Sequence, residues 1–238
     1  PQTLEGRGND VAAQTWHKAW VREKCDIAGR LARGEAGGGY AEAAILLCAA
    51  LSALAAEMWP GPSKDRARFV ELLVRLGKFR NLCTTISVPL LVQALEVLGR
   101  GPDAMALRRA TSLPDSARIL VGPEVDRSES EVLAVCPSLD PLFVRTFAYA
   151  ALLYQEIRSS YAHEYRPGAS ANSMPMTSAA DEAVSYVNLL REPTFTRLDR
   201  SIHFHVPWLR ELARDLADAV DTTNLPQIEP VVWWIKGG

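Results

Sequence analysis

Between Pro141 and Glu164 the larger apolar residues recur with helical regularity. Phe143, Phe147, Ala150, Tyr154, Ile157 and Tyr161 are spaced 4, 3, 4, 3 and 4 apart, which puts them on one stripe of an α-helix. A stripe of about five turns must be covered by other apolar surface. The rest of the chain therefore has to supply partner elements, and its patterning says that most of them are helices. Arg158 lies beside the stripe, one turn from both Tyr154 and Tyr161, as a residue on the wall of a groove would.

A first helix is expected from Asn9, as N-cap, to about Arg33, after a flexible lead-in over residues 1–8. Gly34 to Gly39 holds four glycines in six residues and breaks it. Residues 1–39 thus read as an N-terminal helical appendage with a Gly-rich hinge, followed by a main helical domain over 40–224. Within that domain a helix runs from Tyr40 to Trp59 and stops at Pro60-Gly61-Pro62. A third, capped by Ser63, carries Phe69, Leu72, Leu73 and Leu76 and stops at Gly77. Ser87 and Pro89 open a fourth, Val88 to Leu98, closed by Gly99. Residues 100–140 are rich in proline and read as an irregular insertion of short helices and loops, the kind of segment that often serves as a lid or an interaction surface.

Beyond the main helix, Pro167 to Ser178 is a loop. Ala183–Leu190 and Ser201–Val206 are short and rich in β-branched or aromatic residues. We favour a small β-hairpin near 183–206 over a broken helix pair. Pro207 starts a final amphipathic helix to about Val220. Residues 225–238 form a tail whose Val231-Val232-Trp233-Trp234-Ile235 should dock on the domain or on a second copy. No repeat is evident. The fold class is mainly α.

Apolar residues make up 48% of the chain, and the net charge is −2, so any nucleic-acid contact must be a local patch. The cations comprise 21 arginines and five lysines, a bias that suits phosphate recognition but that a GC-rich genome also produces. The apolar run Ala43 to Ala56, bracketed by Glu42 and Glu57, is shorter than the ~20 residues a bilayer span needs, so a buried core helix is expected and no membrane contact. Cys25, Cys48, Cys83 and Cys136 form no Cys-x-x-Cys pair. Reduced thiols and the lack of a secretion signal in this sequence point to the cytoplasm.

The stripe ends in Ile157-Arg158-Ser159-Ser160-Tyr161-Ala162-His163. Arg-x-x-x-x-His is a weak pattern, and it occurs twice, as Arg158/His163 and as Arg200/His205. The first differs by its position at the end of the best-defined helix, beside hydroxyls able to bond a phosphate or a base. Plainer uses exist for both residues. Arg158 could pair with Glu156, Glu164 or another surface carboxylate, and His163 could cap a helix end through its carbonyls.

The segment Leu153-Tyr154-Gln155-Glu156-Ile157-Arg158-Ser159-Ser160-Tyr161-Ala162-His163-Glu164 resembles the HEPN family (higher eukaryotes and prokaryotes nucleotide-binding). These are all-α bundles, and many of them are ribonucleases with Arg-x-x-x-x-His near a helix end. Ser159 stands where members often carry asparagine or another polar residue. The resemblance implies an antiparallel HEPN-type bundle and metal-independent cleavage of RNA. Arg158 and His163 would be catalytic, and Ser159, Ser160, Tyr161 and Arg166 would contact substrate, with no metal and no cofactor.

In that chemistry a histidine takes the 2′-hydroxyl proton or protonates the leaving 5′-oxygen. Arginine stabilises the charge growing on phosphorus, and the product is a 2′,3′-cyclic phosphate. Five residues along a straight helix set side chains about 140° apart, so one copy cannot easily aim both groups at one phosphate. With the family's habit of dimerising, this implies a homodimer. The biological setting implied is a bacterial toxin or anti-phage protein, with an antitoxin or defence-complex partner. The alternative is a catalytically inactive HEPN-like module binding a nucleotide, RNA or a protein.

His203-x-His205 would share one strand face, a spacing that some metal sites use. No third ligand lies near in sequence, so hydrogen-bonded histidines in a half-buried sheet are the expectation. Phosphate-loop, nucleophile-elbow and zinc-protease motifs are absent.

Overall fold

The computed structural model describes residues 5–61, 64–114, 118–174, 181–190, 198–220 and 233–235. Ser63, Pro193, Val231 and Val232, together with parts of the 167–178 loop and of the tail, lie outside them. The chain is mainly helical, with a small three-stranded antiparallel sheet.

Helix α1 (Glu5–Ala32) begins four residues before Asn9 and takes in part of the expected lead-in. Its Val21, Cys25 and Ala28 belong to the same apolar core as the helices that follow, and it packs on α2 (Tyr40–Met58) and on α12 (Val206–Ala219). In the loop between α1 and α2, Gly34 and Gly37 take φ of +73° and +71°, open to glycine at little cost. Helix α2 is 19 residues long, and by length and composition it could cross a bilayer. It is longer than the apolar run suggested because Tyr40–Glu42 and Glu57–Met58 extend it. Ala43, Leu47, Leu51, Leu54 and Met58 are buried against neighbouring helices, the packing of a core helix.

Helices α3 (Asp65–Arg75), α4 (Arg80–Cys83) and α5 (Val88–Val97) follow. Residues 100–140 hold α6 (Gly101–Ala110), strand β1 (Leu120–Val121), α7 (Gly122–Val125) and α8 (Glu129–Val135). A capping box, Ser128 with Glu131, starts α8, satisfying N–H groups that have no partner within the helix.

The expected single helix over 141–164 is broken. It comprises α9 (Pro141–Arg145), α10 (Tyr149–Leu152), a π-helix (Leu153–Ser159) and α11 (Ser160–Glu164). The break at 146–148 has a long-range cause. Thr85 to Ser87 runs alongside in extended form, so that Ser87 N–H donates to the Phe147 carbonyl at 2.9 Å and Tyr149 N–H donates to the Thr85 carbonyl at 3.0 Å. Those backbone groups are then not free for helical bonds.

Strands β2 (Val184–Leu190) and β3 (Leu198–Phe204) form the hairpin, with Val184 opposite Phe204 and Leu190 opposite Leu198. Strand β1 adds to the β2 edge, with Leu120 opposite Tyr186. The described end of the tail docks on the domain. Trp234 N–H donates to the buried Glu71 at 3.0 Å, Trp233 meets Trp59 edge-on, and Arg145 lies over the Trp234 ring.

Candidate functional site

The π-helix widens the chain up to and through the Arg158–Ser159 start of the motif, and local partners take up the carbonyls it frees. Ser160 Oγ donates to the Gln155 carbonyl at 2.9 Å, and Gly168 N–H donates to the Glu156 carbonyl at 2.7 Å. Ser170 N–H also reaches the buried Glu156 carboxylate at 2.8 Å. Position 168 must be glycine for this return, because a Cβ there would collide with Glu156 and crowd Ser160. A π-turn survives where such compensation exists, and π-turns are frequent at functional sites.

Helix α11 stops at Tyr165, which takes left-handed backbone angles (φ 53°) unusual for a bulky residue. Its hydroxyl donates to Glu42 on the first turn of α2 at 2.7 Å. The end of the motif helix is thereby tied to the start of the core helix.

Arg158 is held by three neighbours on three elements. Its Nε donates to Ser52 Oγ of α2 at 3.3 Å, Nη2 reaches Asp65 Oδ2 of α3 at 3.3 Å, and the guanidinium lies over the Tyr154 ring. The side chain keeps 23% of its surface exposed. Of the plainer uses open to Arg158, the one realised is pairing with a surface carboxylate other than Glu156 or Glu164, namely Asp65, 93 residues away in sequence.

His163, on the last turn of α11, is exposed, with no hydrogen-bond or ion-pair partner among the described residues. Arg166 is exposed and pairs with Glu164. Ser159 is half-buried. The other two expected substrate contacts are committed to the scaffold. Tyr161 is buried, leaving no free ring face for a base, and the Ser160 hydroxyl serves the π-turn. Only the step from Arg158 to Ser159 lies in the wider turn, so Arg158 and His163 still diverge by more than a right angle.

The second Arg-x-x-x-x-His is enclosed. Arg200 is buried and donates to the carbonyls of Arg118 at 2.9 Å and Pro114 at 3.0 Å. His205 shares a hydrogen bond of 2.9 Å with Ser185. His203 Nδ1 meets the Asn172 carbonyl at 3.2 Å, and its ring packs on Tyr40 and His205. Burial, then the neighbouring His205, lower the His203 pKa to about 4, and burial lowers that of His205. Among the described residues no three of His, Cys, Asp and Glu gather as a metal group would require.

No family model, curated protein or solved structure matches this chain.

Sequence reasoning missed a buried acid centre. Asp126 Oδ2 accepts from the hydroxyls of Tyr149 and Tyr186, each at 2.5 Å, while Oδ1 accepts from Val88 N–H at the start of α5. With its one proton given to Asp126, the Tyr186 hydroxyl accepts from Ser87 Oγ at 2.9 Å. Burial raises the Asp126 pKa to about 7 against these bonds, which favour the anion. The partners lie 23 to 60 residues from Asp126, and no local spacing announces them. The cysteines offer no alternative nucleophile. All four are buried, and burial pushes the Cys48 thiol up to about 12.

Proposed function

We propose that this protein is a metal-independent endoribonuclease of HEPN type that acts through Arg158 and His163. The observation that carries the reading is the pairing of a guanidinium held by Ser52 and Asp65, yet still partly exposed, with an exposed histidine five residues on at an anchored helix end. The resemblance of Leu153–Glu164 to the family's motif supports it.

His163 takes the proton from a ribose 2′-hydroxyl. The oxygen attacks the adjacent phosphorus, the bond to the 5′-oxygen breaks and that oxygen takes a proton from water, while Arg158 stabilises the charge on the phosphoryl oxygens. The products are a 2′,3′-cyclic phosphate and a 5′-hydroxyl. In this reading Ser159 and Arg166 contact the flanking backbone. The divergence of the two side chains along the helix favours a homodimer in which each phosphate meets Arg158 of one copy and His163 of the other. A toxin or anti-phage role, with a neutralising partner and a cytoplasmic setting, accompanies this reading. One specific observation favours a catalytically silent binding module instead: Asp65 already neutralises part of the Arg158 charge.

Incubation of the protein with RNA in EDTA tests the proposal. Fragments with 2′,3′-cyclic phosphate ends are expected, with the all-DNA counterpart left intact. RNA binding without cleavage would favour the silent module.

A further inference from the structure

Asp65 does more than accept one ion pair. It lies in the first turn of α3, reaches Arg158 Nη2 with Oδ2 at 3.3 Å, and pairs through Oδ1 with Arg68. The second fixed point on Arg158 is Ser52 Oγ, at 3.3 Å from Nε. Two guanidiniums thus share one carboxylate at a partly open surface, with side-chain exposures of 23% for Arg158, 48% for Asp65 and 17% for Arg68.

The group carries one net positive charge. That residual charge attracts an anion, while the carboxylate offsets the repulsion between the two arginines and fixes where the Arg158 fork sits. A guanidinium left on a flexible stem would collect phosphate as readily, but without a set position relative to the reacting bond.

We infer that Asp65 is a positioning residue for RNA cleavage, orienting Arg158 for the phosphoryl group at the cost of part of its attraction for RNA. This inference rests on the ribonuclease reading of Arg158 and His163. It separates Asp65 from a merely structural ion pair by a split between affinity and turnover. Removing the carboxylate charge should strengthen the pull on RNA and weaken the chemistry.

The test compares wild type with Asp65→Asn, Asp65→Glu and Arg158→Ala in two assays. Binding is read with a 2′-O-methyl oligoribonucleotide, which cannot be cleaved by 2′-hydroxyl attack. Turnover is read with the matching RNA. Asp65→Asn is expected to bind about two- to fivefold more tightly at low salt, an advantage lost as salt screens the site. Its kcat should fall about tenfold or more with no rise in KM, and Asp65→Glu should recover part of kcat. Arg158→Ala should bind more weakly.

Wild-type kcat in Asp65→Asn overturns the inference. So does a joint loss of affinity, kcat and melting temperature that Glu does not rescue. If wild type cleaves no RNA, the ribonuclease reading fails by itself. The binding assay then decides whether Asp65 tunes Arg158, and unchanged affinity in both Asp65→Asn and Arg158→Ala rejects that too.

Discussion

The chain contains the same arginine-to-histidine spacing twice, and the fold treats the two in opposite ways. Arg200 and His205 are buried, with the guanidinium spent on the Pro114 and Arg118 carbonyls and the imidazole bonded to Ser185. Arg158 is held from the side by Ser52, Asp65 and Tyr154 but stays partly open, and His163 is exposed. The spacing is therefore not what marks a site. In one pair the arginine ties the hairpin to the Pro114 and Arg118 carbonyls, whereas the other pair stays partly open at the arginine and exposed at the histidine.

Substitution at the enclosed pair should have the largest effect on stability. Arg200→Ala removes charge-assisted bonds to two carbonyls and is expected to cost about 3 kcal/mol, while Arg158→Ala, more exposed, should cost about 1 kcal/mol or less. Urea unfolding of the two variants measures both. Equal costs would remove the contrast.

The enclosed region should also set the pH response. The unfolded His203 titrates near 6.5 and the folded one near 4, so proton uptake favours unfolding as pH falls through that window. The loss approaches roughly 3 kcal/mol at pH 4, with His205 adding in the same sense. Asp126 works the other way. Its folded pKa of about 7 lies above the model-peptide value of 3.8, so its contribution is full below 3.8 and is given up as pH rises through 7. Between pH 4 and 6.5 the two groups largely offset one another. His203→Asn should therefore shift the stability difference from wild type in favour of the variant as pH falls from 6.5 to 4, by roughly 3 kcal/mol. A pH-independent difference would contradict the burial account.

The smallest effect belongs to the exposed histidine. His163→Ala should change stability by no more than about 0.5 kcal/mol, measured in the same titrations.

What could be read in the sequence follows the range of the forces involved. The 19-residue core helix and the hairpin over 184–204 were legible because apolar periodicity and β-branched content are local signals. The helix over 141–164 was misread at 146–148 because Thr85 and Ser87 take the backbone groups that a continuous helix would use. The π-turn was invisible for the same reason, since Gly168 supplies part of its compensation from outside the helix. At the candidate site, Arg158 and His163 were picked out by their place at a helix end. Tyr161 was expected to face substrate although it lies on the very stripe that predicted burial. The Arg158 counter-ion, Asp65, and the Asp126–Tyr149–Tyr186 centre depend on contacts across many residues of chain. No spacing rule reaches them.

If the proposed function holds, the open pair performs chemistry and the enclosed pair does not. Cleavage of a defined RNA in EDTA by wild type and by His163→Ala, each confirmed folded by its melting curve, tests it most directly. Cyclic-phosphate products are expected from wild type, with a fall of about 100-fold or more in the variant at unchanged stability. Cleavage by His163→Ala at the wild-type rate would contradict it.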